Sequence, residues 1–346
     1  MSNFKLTKLK YETSEIDGVY RIKVDIPFDV KFVCVHIFEV DDKLVMIDAG
    51  FNTLPWRRLF FKALNELNLK IEDIDYCFVS HEHLDHCGLL KYFKRKNPDL
   101  KILMHKTTDE SLRFGSNSNY FGRMERNAIK IAKEIESYGM GEKEITRLMK
   151  SFLVWPKIVR YEAPNRLLKD DDEISFTSNK LKIIWTPGHS LGHICVFDIK
   201  NKHLFSGDHI LSHITPHIGV YHISTLINEE LSYPNILDLY LNSLDKIDKL
   251  NPKIIYPGHQ ELITNPHERI LEIKKHHQNR FKEICRSIES KPLTPFEISQ
   301  IHFGTDLDDM NKYLALNEIL SHLIYLEHQE KVKKFEKDGL FYFSTI

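Results

Sequence analysis

The chain has 346 residues, with 48 Lys plus Arg against 49 Asp plus Glu, a formal net charge of -1, 42% hydrophobic and 28% charged residues. That balance excludes a disordered chain and a surface that is basic throughout, as a general nucleic-acid or acidic-membrane binder needs. No apolar run reaches the roughly 18–20 residues of a bilayer span, the charged N-terminal stretch lacks a secretion signal's apolar core, and the five cysteines include no CxxC pair, so a cytoplasmic protein without a disulfide scaffold is expected.

Gly18 to Ile26 and Val33 to Val40 are rich in β-branched and aromatic residues and read as strands. Leu44 to Ile47 is a short apolar strand running into Asp48-Ala49-Gly50. Leu59, Phe60, Ala63, Leu64 and Leu67 recur at helical spacing and predict a helix from about Trp56 to Leu69. Tyr76 to Val79 is a buried strand, followed by a histidine-rich loop, a helix from about Cys87 to Lys96 and a strand from Lys101 to Met104.

From about residue 107 to 165 the pattern changes to a helical insert. Ala128, Ile131, Ala132 and Ile135 form one stripe, and Ile145, Leu148, Met149 and Phe152 form another, with Gly139 to Gly141 between them. Phe121, Met124, Tyr138 and Phe152 are candidate lining residues of a lid, or simply the packing between two helices. Strands return at Leu181 to Trp185, Ile194 to Asp198, His203 to Phe205 and Lys253 to Tyr256, with a helix at about Ile236 to Leu250. After about residue 266 the chain is helical. Its last part, Val332 to Phe335 and Leu340 to Phe343 across Lys337-Asp338-Gly339, reads as a hairpin that makes the tail winged-helix-like.

The chemistry concentrates in Ser80-His81-Glu82-His83-Leu84-Asp85-His86, directly after a buried strand. Imidazole nitrogen and carboxylate oxygen suit zinc and similar divalent metals. Alternate residues of an extended segment point the same way, so His81 and His83 face one position while Asp85 and His86 can turn toward another. Three further segments repeat one plan of apolar strand, glycine and ligand-type side chain: Pro187-Gly188-His189, Ser206-Gly207-Asp208 and Tyr256-Pro257-Gly258-His259. Strand ends are where a rigid scaffold holds ligands on loops. Cys87 opens an apolar helix and reads as packing. His213 and His217, close to Asp208 in sequence, are candidate pocket residues.

These motifs resemble those of the metallo-β-lactamase superfamily over roughly residues 15–265. HxHxDH stands as His81 to His86, the third histidine as His189, the bridging aspartate as Asp208 and the last histidine as His259, and Asp48-Ala49-Gly50 matches an early aspartate-glycine motif. The resemblance implies an α+β fold, an αββα sandwich with a dinuclear site at one edge. One metal would be held by His81, His83 and His189 and the other by Asp85, His86 and His259, with Asp208 between them. Asp48 would orient a ligand, and Asp85 would both bind metal and handle a proton. Two divalent ions, zinc in the first instance and iron or manganese otherwise, would lower the pKa of a bridging water to about 7, giving a hydroxide nucleophile.

Thr186 to Cys195 resembles the glyoxalase II motif, and Leu204 to His209 with Ile214-Thr215-Pro216 is similar to metallo-hydrolases bearing a C-terminal winged-helix unit, among them thioester hydrolases and a single-strand endoribonuclease. From residue 270 onward there are 11 Lys plus Arg against 12 Asp plus Glu. That mixture disfavours nucleic acid and suits a tail that packs beside the site or forms an oligomer contact. The expectation is a catalytic body over 1–265 and a helical, winged-helix-like region over 266–346. The activity expected is metal-dependent hydrolysis of a small-molecule acyl ester, thioester or lactone, with a ribonuclease second and a non-enzymatic ligand-binding regulator third.

Overall fold

The computed structural model describes residues 9–28, 30–116, 120–152, 160–219 and 235–346, the side chains at 115, 120–127 and 151–152 excepted. The first sheet has seven strands in chain order: β1 (Tyr11–Ile16), β2 (Val19–Asp25), β3 (Phe32–Val40), β4 (Lys43–Ile47), β5 (Ile74–Val79), β6 (Lys101–His105) and β7 (Arg166–Leu168). β1 to β4 pair antiparallel, and β4 to β7 pair parallel. The parallel half needs crossovers, and α1 (Leu54–Glu66) and the short α2 (Leu84–Cys87) with α3 (Leu90–Lys96) supply them. Thr53 caps α1 by accepting from Trp56 N–H, with Pro55 in the first turn.

The helical insert is α4 (Lys106–Ser116), α5 (Tyr120–Ser137) and α6 (Glu142–Phe152). The second sheet follows with β8 (Glu173–Ser175), β9 (Lys180–Trp185), β10 (Ile194–Asp198), β11 (His203–Gly207) and, after α7 (Ile236–Leu250), β12 (Ile254–Pro257). Its spatial order is β12-β11-β10-β9-β8, with β11 and β12 parallel. Three short or polar strands, β1, β7 and β8, carry little of the apolar alternation that marks the others and are not anticipated from sequence.

The period-2 alternation of the strands builds three layers of core. Val45 and Ile47 face the second sheet while Met46 faces α1. Ile183, Val196, Phe205 and Tyr256 meet the first sheet, whereas Ile184, Cys195, Leu204 and Ile255 face α7. The result is helix on sheet, sheet on sheet and sheet on helix, the αββα order expected. Phe205, fully buried, lies at the centre, stacked on Phe38 at 4.5 Å and on Tyr256 at 5.2 Å between ring centroids.

Past the second sheet come α8 (Pro266–Ser287), α9 (Pro295–Phe303), α10 (Asp309–His328) and the hairpin β13 (Val332–Lys337) with β14 (Leu340–Thr345). The hairpin turns on Asp338 and Gly339, both at positive φ, the two-residue turn that matches strand twist. Ile284, Leu293, Ile298, Leu323, Val332 and Phe343 share a core that joins these three helices to the hairpin. The insert packs here too. Ile131, Ile135, Ile145 and Leu148 are buried with Phe296, Tyr313 and Leu316, and Tyr138 lies 5.8 Å from the Phe341 ring. Among the described residues no helix is long and apolar enough to cross a membrane.

Truncating Phe205 to Ala removes the ring that both sheets share, and a stability loss of about 3–5 kcal/mol is expected in urea unfolding monitored by circular dichroism. A loss below about 1 kcal/mol would show that the two sheets are held together elsewhere.

Candidate metal centre

Five loops leave the carboxyl ends of β4, β5, β9, β11 and β12 and meet at one edge of the sandwich, the place where strand ends present side chains to a ligand. Backbone bonds tie the loops together: Ile194 N–H donates to Ser80 O at 2.9 Å, Cys34 N–H to Gly258 O at 2.7 Å and Gly258 N–H to Gly207 O at 2.8 Å. Two glycines are required by the crowding that results. A Cβ at Gly207, whose φ is +48°, would meet His193 Nε2 and Ser80 Cβ at 2.7 Å. One at Gly258 would meet His86 Cε1 at 2.6 Å and Asp208 Oδ1 at 2.7 Å.

All seven residues singled out from sequence converge, in two groups. In one, His83 Nδ1 lies 3.0 Å from His189 Nε2, and Asp208 Oδ2 lies 3.4 Å from His189 Nε2 and 4.0 Å from His81 Nε2. In the other, His86 Nε2 lies 3.3 Å from His259 Nε2 and 3.9 Å from Asp85 Oδ2, and His259 Nε2 lies 3.4 Å from that same Asp85 oxygen. Asp208 touches both, with Oδ1 at 3.4 Å from His86 Nε2 and Oδ2 at 3.3 Å from His259 Nε2. The donor atoms of each group lie within 4.8 Å of one another.

Four of the rings have their other nitrogen held by a partner outside the seven. His86 Nδ1 meets Asp48 Oδ2 at 2.8 Å, His81 Nδ1 meets Ser80 Oγ at 2.9 Å, His189 Nδ1 meets the His217 carbonyl at 3.2 Å, and His259 Nδ1 meets the Phe32 carbonyl. Such bonds fix the tautomer and aim the free nitrogen inward. Asp48 also accepts from Ser80 N–H at 2.7 Å and Ser80 O–H at 2.9 Å. It does so from a left-handed backbone, φ +66°, where the chain turns out of β4.

Burial drives His81, His83 and His189 toward the neutral imidazole, His189 to about 3. Burial opposes ionisation of Asp208 and Asp85, but the imidazoles of His86 and His259 outweigh it, holding Asp208 well below the carboxylate range and Asp85 at about 2. Burial also opposes charge on His259, yet Asp208 and Asp85 raise it to about 10. The carboxylates therefore demand positive charge between these rings. His81 Nε2 and Asp208 Oδ1 are buried with no hydrogen-bond partner, so the imidazole and carboxylate donor set fits divalent cations by chemistry and by unmet valence. Cys87 packs in the helix-facing core, its thiol donating to the Glu82 carbonyl, as expected of a packing residue.

Beside the centre lies a cavity of about 570 Å³ that includes His189 and Asp208. Among the described residues its walls are Val30, the loop from Leu211 to His217, and the C-terminal helices through Phe303, Leu314, Ala315 and Glu318. Of the lining residues expected in the insert, Phe121, Met124 and Phe152 have side chains outside the described set, and Tyr138 packs on the C-terminal hairpin instead. His217 lines the cavity, whereas exposed His213 does not.

Two positioning residues escape the sequence reading. His193 Nε2 accepts from Asp208 N–H at 3.1 Å, while its Nδ1 meets Thr186 Oγ1 at 2.8 Å, and its place four residues after His189 in Thr186 to Cys195 was the available signal. Glu318 of α10 accepts from Ile218 N–H at 3.1 Å and faces His217 Nδ1 at 3.5 Å, fixing the loop whose carbonyl aims His189. Nothing in the local sequence of α10 signals that role.

A buried edge of two sheets with seven converging nitrogen and oxygen donors defines a candidate dinuclear metal centre. Residues 30–259 match the Metallo-beta-lactamase superfamily, and residues 281–346 match the Metallo-beta-lactamase-like, C-terminal domain. The chain belongs to the metallo-β-lactamase superfamily and is a metal-dependent hydrolase of it. It is 26% identical to the probable metallo-hydrolase YqjP of Bacillus subtilis over 95% of this chain and 98% of that one. It is 28% identical to the acyl-coenzyme A thioesterase MBLAC2 of Gallus gallus over 52% of this chain and 54% of that relative. Among solved structures, the metallo-beta-lactamase family protein TTHA1429 from Thermus thermophilus shares the fold with a TM-score of 0.75 at 23% identity, covering 96% of this chain and 99% of that one.

Replacing Asp48 with Ala strands Ser80 and His86 in the interior, and a stability loss of about 3–5 kcal/mol is expected by chemical denaturation; an Ala variant as stable as the parent would refute the tether. Glu318 supplies a pH signature. Burial opposes its charge, but the His217 contact and the nearby His322 outweigh it and hold the carboxyl at about 2, below the ordinary 4.5. A depressed carboxylate stabilises the fold above its unfolded pKa and loses that contribution as pH falls through the folded one. The stability gap between the parent and Glu318→Gln should therefore be widest above pH 4.5 and close toward pH 2; a gap independent of pH would contradict the ionised contact.

Proposed function

We propose that the chain hydrolyses small-molecule acyl thioesters or related acyl esters and lactones at a dinuclear metal centre. His81, His83 and His189 would hold one cation and Asp85, His86 and His259 the other, with Asp208 bridging. The observation that carries this reading is the pair of buried, unpartnered donor atoms, His81 Nε2 and Asp208 Oδ1, in a centre whose Asp208 and His189 border a cavity of about 570 Å³ with partly apolar walls. That volume suits a small acyl group with a few polar anchors. The named thioesterase among the relatives favours a thioester over other acyl derivatives. The donor set accepts zinc, and equally iron or manganese.

Divalent cations bound there supply Lewis acidity toward a carbonyl oxygen and lower the pKa of water from 15.7 to about 7. The chain's own residues provide the rest. Asp208 and Asp85, held ionised by His86 and His259, supply the negative charge that retains the cations. Asp85, partly open at 14% side-chain exposure, can take a proton from the attacking water and pass it to the departing group. Val30, Leu211, Ile214 and Leu314 exclude water from the acyl group. In the net reaction water oxygen bonds to the acyl carbon and the carbon–sulfur bond breaks. The sulfur leaves as a thiol after taking up one proton, and a second proton goes to solvent with the carboxylate product.

The same reading assigns the catalytic body to residues 1–265 and gives 266–346 the role of walling the cavity. A reducing cytoplasm fits five free thiols, four of them buried.

Chelator treatment should abolish thioester hydrolysis and added Zn²⁺, Mn²⁺ or Fe²⁺ should restore it. Asp208→Ala should lose both metal, by elemental analysis, and at least about 1000-fold in kcat/KM, the scale of a lost charge-stabilising group. Turnover of single-stranded RNA alone, or full metal occupancy in Asp208→Ala, would overturn the proposal.

A further inference from the structure

The cavity beside the centre contains a cation with a buried N–H donor left unmet. Arg280 of α8 lines it together with His276. Its side chain is only 15% exposed, its Nε is buried without a hydrogen-bond partner, and the nearest carboxylate oxygen, that of half-exposed Glu283, stands at 3.8 Å. Among the described residues no carbonyl or carboxylate accepts a hydrogen bond from the guanidinium. Phe303 holds it by its ring face, 4.8 Å from the Arg280 Cζ atom. The carboxylate that shares the cavity, Glu318, is turned to Ile218 N–H and His217.

A guanidinium taken largely out of water is costly unless its donors are met. Its planar fork is complementary to an oxyanion with two oxygens to offer, and stacking on an aromatic face fixes the plane without using any of the five N–H groups. The same cavity is lined by the metal-facing His189 and Asp208, by polar Thr215, His217, Asn311 and Glu318, and by apolar Leu211, Ile214 and Leu314. One cavity thus offers donors for the reacting carbonyl, apolar side chains for hydrocarbon and a cation for an anion.

We propose that the substrate carries an oxyanion, carboxylate or phosphate, on a part of the molecule remote from the bond that is cleaved, and that Arg280 binds it. The assignment rests on the reading of this cavity as the acyl-ester site and narrows it to anionic esters. Arg280 is on this view a specificity-determining residue and not a member of the metal centre.

The test uses metal-loaded, full-length protein and pairs of thioesters matched in length. Glutaryl against pentanoyl N-acetylcysteamine places a carboxylate on the acyl side, and acetyl phosphopantetheine against acetyl pantetheine places a phosphate on the thiol side. In one pair the charged member should be favoured about 10- to 100-fold in kcat/KM, the worth of a charge-assisted hydrogen-bond pair, mostly through KM. Arg280→Gln should collapse that ratio toward one, and Arg280→Lys should recover part of it. The pair that responds identifies the anion.

Equal turnover within both pairs, or a preference that survives Arg280→Gln, would overturn the proposal while leaving thioester hydrolysis intact. If no thioester is turned over, the thioester reading fails instead. Calorimetric titration with glutarate and inorganic phosphate then decides the Arg280 site by itself: binding to the parent but not to Arg280→Gln supports it, and absent or unaltered binding refutes it.

Discussion

The structure depends on keeping one carboxylate, Asp208, ionised where almost no water reaches it. A buried charge is tolerated only when opposite charge and hydrogen bonds surround it, and here four imidazoles, those of His81, His86, His189 and His259, stand within 4.0 Å of its oxygens. Those rings come from loops after strands of two different sheets, so the position of Asp208 constrains the relative placement of both sheets. Gly207 and Gly258 are glycines because the rings and the carboxylate leave no room for a Cβ. His193 then fixes the backbone of Asp208 from behind through its N–H. The metal-ready geometry is therefore a property of the sandwich as a whole.

What could be read from the sequence and what could not follow from this arrangement. The strands that carry the site are apolar runs ending in glycine and a ligand-type residue, a local pattern, so the site-bearing strands, their loops and all seven converging side chains are legible without coordinates. β1, β7 and β8 are edge or near-edge strands with exposed, polar residues, and their pairing is set by neighbours distant in sequence. The insert gave two readings, lid or helix packing. Its described apolar side chains pack onto Phe296, Tyr313 and Leu316, residues more than 140 positions downstream, a partnership that periodicity alone does not encode. Glu318 is the sharpest case. As an isolated acidic residue on an apolar helix it has no motif, and only the fold shows that its carboxylate holds the loop behind His189.

Glu318 also shows how the two parts of the chain divide the work. The sandwich places the donors, since all seven follow its strands, five on loops and Asp85 and His86 in α2. The C-terminal helices place much of the rest of the cavity's border, facing Val30 and the loop that carries Leu211, Ile214 and His217: α8 brings Arg280, α9 brings Phe303, and α10 brings Leu314, Ala315 and Glu318. On the proposed reading, chemistry and selectivity lie on separate elements. A change in α8 or α10 can reshape the cavity without displacing a donor atom, which is how one hydrolytic centre can serve different substrates on one architecture.

That separation is not complete, and its one breach is informative. The Ile218 N–H and the Ser321 hydroxyl, which donates to the Ile218 carbonyl at 2.9 Å, bind the loop of the sandwich to α10 at the residue next to the carbonyl that orients His189. Packing of the C-terminal helices is therefore transmitted to a donor of the centre over two hydrogen bonds. The contacts of the His189 ring with His83 and Asp208 thus depend on where α10 holds this loop. The helical region consequently does two jobs with one surface: it closes the cavity, and it holds in register the one donor of the seven whose second nitrogen is anchored by a loop rather than by a strand or by a side chain of the sandwich.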